Sequence, residues 1–526
     1  MDYPFSSYFL LLLFVLLTAT SILWRSRKTL ISTKKLAPQI PGAWPIIGHL
    51  HYLSVKKNVP FARTLGELAD NYGPVFTIRI GICPYLVVSN WEVAKSCFTT
   101  HDKELSGRPA TLASELIGYN YARFSYSNYG PYYRHIRKLV LQLALSSSRL
   151  DKMKHVRISE IETSIKELYS WTNVQESRNA IVNISEWFEQ LTLNIIVSMV
   201  CGKRYNGVKE DEEAQRMRKI FRDTMFVSGQ IVLYDAVPFK LFKYLDFQGH
   251  VKSMKRIFKD LDEILQGWLD EHIIRKENIV DEDDNIQDFI DAMLMVTDRD
   301  DFKAYGYSQS TVIKATMLSM IEDGSDTIAV HLTWIMSLLL NNPHVIKKAQ
   351  EEIDTKIGKE RWAEDSDVQD LVYLQAIIKE TLRLYPPAPL LVPHEAVEDC
   401  KVAGYHVPKG TRLYVNVWKI HRDPNIYSKP ENFIPERFLT NKIKIDSRDQ
   451  HFEFIPFGSG RRSCPGMTFA SLVTHVILGR LLQGFDFSTP SNMPVDMTEG
   501  LGITMPKANQ VEVVITPRLS SKLYEF

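Results

Sequence analysis

The chain has 526 residues, 45% of them hydrophobic and 24% charged, with 63 basic against 62 acidic side chains and a net charge of +1. That balance provides no global attraction for nucleic acid or for acidic partners. Five scattered cysteines, Cys83, Cys97, Cys201, Cys400 and Cys464, argue against a disulfide framework and fit a reducing compartment.

The first predicted element is the compositional anomaly. Tyr8 to Trp24 carries no charge and, at about 1.5 Å per residue, spans roughly 25 Å, near the ~27 Å hydrocarbon thickness of the endoplasmic reticulum. Only Asp2 precedes it, whereas Arg25, Arg27, Lys28, Lys34 and Lys35 follow. Basic flanks stay cytoplasmic, so the pattern predicts a single-pass anchor over 1–25 with a cytosolic body. A cleaved signal peptide would carry its positive charge before the apolar run, the reverse of this order. Residues 26–50 read as a basic, proline-rich linker, because Pro38, Pro41 and Pro45 fix φ and stiffen an extended chain. After residue 50 no low-complexity tract or repeat divides the chain, so 51–526 reads as one catalytic body.

Within that body the predicted elements are mostly helical, with a small β portion. Val75–Ile80 and Pro84–Val88 alternate as a hairpin around Gly81-Ile82-Cys83. Helices are expected near 151–172, 185–202, 209–227 and 250–275, and the acidic Asp281-Glu282-Asp283-Asp284 reads as a solvated loop. An unusually long apolar-periodic segment covers 309–341. Pro343 then opens a helix that runs to Gly358. Another helix, 367–384, stops before Pro386-Pro387, and 402–416 reads as a hairpin around Pro408-Lys409-Gly410.

The chemistry concentrates at Phe457-Gly458-Ser459-Gly460-Arg461-Arg462-Ser463-Cys464-Pro465-Gly466, followed by the apolar helical run Leu472–Leu482. A thiolate is a soft anionic ligand that needs backbone N–H groups and nearby positive charge. Glycines let backbone approach a flat object closely. The loop fits presentation of a thiolate to a planar, anionic metallomacrocycle, which is haem. The specified positions Phe457, Gly460, Arg462, Cys464 and Gly466 resemble the haem-binding loop of the cytochrome P-450 superfamily of haem-thiolate monooxygenases.

That resemblance implies a mainly α fold with a small β portion, the cytochrome P-450 fold, and haem b bound through Cys464 as the metal ligand. It also assigns residues. Glu380 and Arg383 sit on one helix face, and with Arg437 of Pro435-Glu436-Arg437-Phe438 they form the family's buried structural triad. Thr327 and Asp326 of Ile321-Glu322-Asp323-Gly324-Ser325-Asp326-Thr327 match the distal pair that delivers protons. The alternative is that the Thr327 hydroxyl merely bonds a carbonyl one turn back. Tyr133, standing where the family usually has tryptophan, together with Arg137, His394 and Arg462, matches haem-propionate partners.

The chain also departs from the family pattern. Asp323 stands where alanine or glycine is usual, Glu322 precedes it, and Ile328 follows Thr327. Buried carboxylates need a partner. Glu322 and Asp323 are therefore substrate candidates, either for a cationic amine on the substrate or for pairing within the protein. Pro393-His394-Glu395-Ala396 and Tyr414-Val415-Asn416-Val417-Trp418 are similar to plant microsomal members, in a branch holding nicotine demethylases, alkaloid oxidases, flavone hydroxylases and homoterpene-forming enzymes. The resemblance implies a monooxygenase at the endoplasmic-reticulum membrane, using O2 and NADPH electrons from a separate reductase, with a small-molecule substrate, alkaloid, terpenoid or flavonoid. No Rossmann fingerprint in the chain supplies those electrons internally. The rival readings are a reductase-independent isomerase or dehydratase, against which Asp326-Thr327 argues, and a haem protein without oxidative chemistry.

Overall fold

A computed structural model describes residues 34–55, 59–174, 180–205, 212–243, 246, 249–278, 288–297, 302–439, 451–490 and 492–525. The expected anchor Tyr8–Trp24 and the acidic stretch Asp281–Asp284 lie outside the described residues. Among the described residues no helix is long and apolar enough to cross a membrane.

Pro38 lies in extended chain, whereas Pro45 stands in a tight turn. Thr77 N–H donates to the Pro38 carbonyl at 2.7 Å and Ile40 N–H to the Thr77 carbonyl at 3.2 Å, so this stretch lies along the first strand. That strand, β1 (Val75–Ile80), pairs antiparallel with β2 (Cys83–Val88), as the alternation predicts.

The helices that frame the site follow. Pro131 opens α1 (Pro131–Val140) at a position where a missing N–H costs nothing. After β3 (Ala180–Asn183), the Asn183 side chain caps α2 (Ile184–Cys201), which ends at left-handed Gly202. Then come α3 (Glu212–Ser228) and α4 (His250–Glu277). Ser308 caps α5 (Gln309–Leu340), whose 32 residues make it roughly 48 Å long. It is apolar nearly all round because it is the central beam of the molecule, packed along α2 and crossed by α4. Pro343 starts the next helix, Pro343–Lys356, as expected.

The C-terminal third supplies α6 (Val372–Leu384), β4 (His394–Glu395), β5 (Arg412–Val415), α7 (Met467–Gly484), β6 (Phe485–Ser488) and β7 (Glu512–Pro517). One sheet runs β1-β2-β5-β4, with β2 and β5 parallel, and a second runs β3-β7-β6. Here the structure corrects the expected hairpin over 402–416. Cys400–Val402 pairs instead with Tyr405–Val407, turned by Ala403 and Gly404 at φ of 49° and 81°. Two consecutive positive φ values make the tight turn that matches strand twist. Pro408-Lys409-Gly410 is only the connection to β5, which is drawn away by its distant partner β2.

Candidate active site

Cys464 sits in the loop before α7, with its backbone N–H donating to the Phe457 carbonyl at 2.9 Å. Gly458 and Gly460 take positive φ there, 67° and 71°. A Cβ on Gly460 would lie 2.4 Å from Asp102 Oδ1, so only glycine lets the loop close on Asp102, which accepts from Arg461 N–H at 3.1 Å. The Cys464 side chain faces open space, yet protein surrounds that space closely enough for burial to push the thiol pKa up. The Asp323 carboxylate pushes it the same way, while a Gly466 N–H and the Arg137 charge oppose it. A metal bound at Cys464 would displace the thiol proton.

Around this cleft the predicted cation set converges. Arg462 donates through Nε to the Ser106 carbonyl at 2.9 Å and through Nη2 to the Ser127 carbonyl at 2.7 Å, and its plane lies 4.2 Å over the Tyr133 ring. Arg137 reaches Tyr133 Oη at 3.2 Å and the Ser463 carbonyl at 2.8 Å. His394 Nδ1 bonds the Leu105 carbonyl at 2.8 Å, so that nitrogen carries the ring proton. The sequence reading missed a fourth cation, Arg108, which donates to the Val392 and Pro393 carbonyls at 3.1 and 2.9 Å.

These positive groups repel one another. Burial and then Arg462 lower Arg108 to about 9, and burial, with Arg137 contributing, lowers Arg462 to about 10. Burial and the two arginines hold His394 well below its ordinary value. Arg462 Nη1 is buried without a hydrogen-bond partner. A massed, partly unsatisfied positive set beside a thiol demands a dianionic ligand edge, and the two carboxylates of haem meet that demand. The residues fit the group.

The triad residues also meet. Glu380 Oε2 accepts from Arg383 Nε at 2.8 Å, and Oε1 accepts from Arg437 Nε at 2.9 Å. Arg383 continues to the His421 carbonyl at 2.9 Å, and His421 Nε2 accepts from Ile455 N–H at 3.0 Å. The network thus ends two residues before Phe457, whose carbonyl holds Cys464.

On α5 the predicted pair divides between two faces. Thr327 donates its hydroxyl to the Asp323 carbonyl at 2.8 Å, the one-turn-back bond weighed above. Asp326 faces a pocket lined with Glu189, Arg222, Leu501, Ile503 and Thr504. One oxygen bonds Thr504, Oδ2 is buried without a partner, and burial, aided by Glu189 and Asp323, pushes its pKa up to about 6. No hydrogen bond joins Asp326 to Thr327 among the described residues.

The two candidate substrate carboxylates pair within the protein. Arg123, 1% exposed in the loop before α1, donates Nη1 to Glu322 Oε2 and Nη2 to Asp323 Oδ1, the latter at 2.5 Å. Glu322 is fully buried against Arg123, and burial pushes its carboxyl up to about 7. Asp323 remains 44% exposed. Nothing near Arg123 in the sequence announces this partner; only the demand of two buried acids for a cation points to one.

The sequence profile of the cytochrome P450 family matches residues 38–513. The chain is a cytochrome P450. It is 54% identical over 505 residues to a nicotine N-demethylase of Nicotiana tomentosiformis, covering 95% of this chain and 96% of that one. A vinorine hydroxylase of Rauvolfia serpentina is 48% identical over 94% of this chain and 93% of its own length. A xanthotoxin 5-hydroxylase of Arabidopsis thaliana is also 48% identical, over 93% and 94%. Among solved structures, a zebrafish cytochrome P450 with abiraterone superposes with a TM-score of 0.72 at 25% identity, covering 87% of this chain and all of that one.

P450 enzymes hold haem through a cysteine thiolate and draw NADPH electrons from a separate reductase to run monooxygenation. When bound, haem supplies the oxygen-activating centre. This P450's own residues do the rest. The loop N–H groups and Arg137 favour the charged sulfur. Arg108, Arg137 and Arg462 would offer positive charge, and His394 an N–H group, to the carboxylates of a bound haem.

Proposed function

We propose that this P450 is an endoplasmic-reticulum enzyme of plant specialised metabolism that oxidises a small lipophilic substrate bearing a basic nitrogen, an alkaloid of tropane or pyrrolidine type. The observation that carries this reading is the 54% identity, over almost the whole chain, to an enzyme named for removing a methyl group from nicotine, itself a pyrrolidine amine. The vinorine hydroxylase supports the broader class, an alkaloid. In this reading Cys464 ligates iron. Tyr133, Arg137, His394, Phe457, Arg462 and Gly466 hold the cofactor, and Glu380, Arg383 and Arg437 lock the loop before it. Thr327 presents a hydroxyl proton on the cleft side of α5, and Asp326, on the other face with a carboxyl pushed up to about 6, resupplies it through intervening water.

Membrane attachment rests on the apolar run Tyr8–Trp24 as anchor, with 26–50 as linker and 51–526 as the catalytic body. Exposed apolar side chains support a lipid-facing side. Trp44 and Ile47 stand near the tip of the first hairpin, where Ile82 N–H donates to the Ala236 carbonyl, and Phe239 is exposed close by.

The 48% identity to a xanthotoxin hydroxylase, matching that to the vinorine hydroxylase, supports a second reading, an oxygen-heterocycle or flavonoid hydroxylase on the same scaffold. Co-expression with a plant NADPH–P450 reductase and mass spectrometry of a metabolite panel decides between them. The amine reading expects NADPH-dependent products from tertiary pyrrolidine or tropane amines. Products from neutral furanocoumarins or flavones alone would overturn it.

A further inference from the structure

On the Asp326 face of α5 lies a cavity of about 320 Å3, walled by α2, α3, α5 and the segment 501–510. It shares no lining residue with the Cys464 loop or with the cation set around that loop. Most of its wall is apolar, with Leu193, Phe221, Met225, Val330 and Ile503. Exposed Phe226 and Leu501 belong to the same wall, so the cavity is reachable from the surface. Two carboxyl oxygens of the wall lack partners. Glu322, 1% exposed, gives Oε2 to Arg123 and keeps Oε1 buried without a hydrogen bond. One turn further along α5, Asp326 keeps Oδ2 in the same condition. A buried acceptor left unbonded is costly, so this pair calls for a donor inside the cavity. Charge is not what the cavity lacks. Glu189, Glu322 and Asp326 face Arg218, Arg222 and Lys507, three acids to three bases, and Arg222 already bonds Glu189 at 2.8 Å.

We infer that this cavity is a second small-molecule site of the enzyme, and that it takes a compact, uncharged, mostly apolar molecule carrying an N–H donor of amide or lactam type. Apolar walls with a few convergent polar groups, around a volume of about 300 Å3 or more, are the usual form of such a site. The ligand's N–H donates to the free carboxyl oxygens while its body covers the apolar wall. A carbonyl beside that N–H also suits the site. Burial pushes Glu322 up to about 7 and Asp326 up to about 6, and a carboxyl that keeps its proton donates it. Ordered water is the competing occupant. The site is independent of the substrate class oxidised in the cleft, and a ligand in it rests against the carboxyl of Asp326.

The test uses the haem-loaded, full-length protein in detergent, saturated with 4-phenylimidazole as followed by its Soret shift, so that the haem cleft is closed to the probes. Benzamide and acetophenone share one shape and differ by NH2 against CH3. Ligand-observed NMR gives their dissociation constants, each corrected for partition into detergent alone. Wild type is expected to bind benzamide about tenfold or more tightly than acetophenone. Asp326→Asn turns an N–H toward the ligand in place of an acceptor, and is expected to bring the two within about threefold by weakening benzamide. Glu322→Gln is expected to act in the same direction and decides should Asp326→Asn not accumulate. Equal affinities in wild type, the mark of a cavity held by water alone, would overturn the inference. So would a variant that keeps the full preference.

Discussion

The hydroxyl of Thr327 is occupied. It donates to the Asp323 carbonyl in the same helix and so must swing off that acceptor to serve the cleft. The exchange is inexpensive, because one neutral hydrogen bond replaces another at a net difference of about 1 kcal/mol. Thr327→Ala is accordingly expected to lower product formation about 100-fold while NADPH consumption continues and peroxide appears, with Thr327→Ser restoring coupling. Product and peroxide yields per NADPH measure it, and unchanged coupling in Thr327→Ala would assign the hydroxyl to the helix alone. At this scale the sequence was uneven in what it disclosed. Cys464 and its glycines were legible because a ten-residue loop carries the whole geometry. Arg123 and Arg108 were not, because their partners lie some 200 and 280 residues away and each contact is made by folding.

Elements transmit what residues hold. The Glu380 carboxylate on α6 binds two guanidiniums, and Arg383 carries the constraint through His421 to Ile455 beside the thiolate loop. All three triad side chains are buried, so removing the acid strands two charges away from water. Glu380→Gln is expected to cost about 3–5 kcal/mol and to release haem. Denaturant midpoints and the haem-to-protein absorbance ratio report both effects, and a change within about 1 kcal/mol would deny the lock. Helices were largely readable from periodicity and breakers: α5 as 309–341, stopped ahead of Pro343, and α2 as 185–202. The sheet was not. The strand order β1-β2-β5-β4 depends on which distant strand wins an edge, and the turn at Ala403-Gly404 outcompeted the proline-glycine signal at 408–410.

Across the whole molecule, buried histidines set its response to acid. Burial lowers His331 and His421 to about 3 and His475 to about 4. Unfolded, each would titrate near ~6.5. The folded state therefore binds fewer protons between these values, so the contribution to stability is complete above ~6.5 and is lost as pH falls. Each histidine that stays neutral costs about 1.4 kcal/mol for every pH unit below ~6.5. Both ring nitrogens of His331 are buried without partners, so leucine is tolerated there. His331→Leu should flatten the decline in urea midpoint between pH 7 and pH 5; an unaltered slope would place the acid sensitivity elsewhere.

The parallel pairing of β2 with β5 joins residues 327 positions apart, Tyr85 with Arg412 through Val88 with Val415. During synthesis at about 5–20 residues per second, the β2 edge consequently waits roughly 15–65 s for its neighbour to leave the ribosome. Throughout that interval Leu86, Val87 and Val88 present an unmated, aggregation-prone ribbon. Nascent-chain chaperones have the most to shield in this early hairpin, and slow translation of the middle of the message lengthens its exposure.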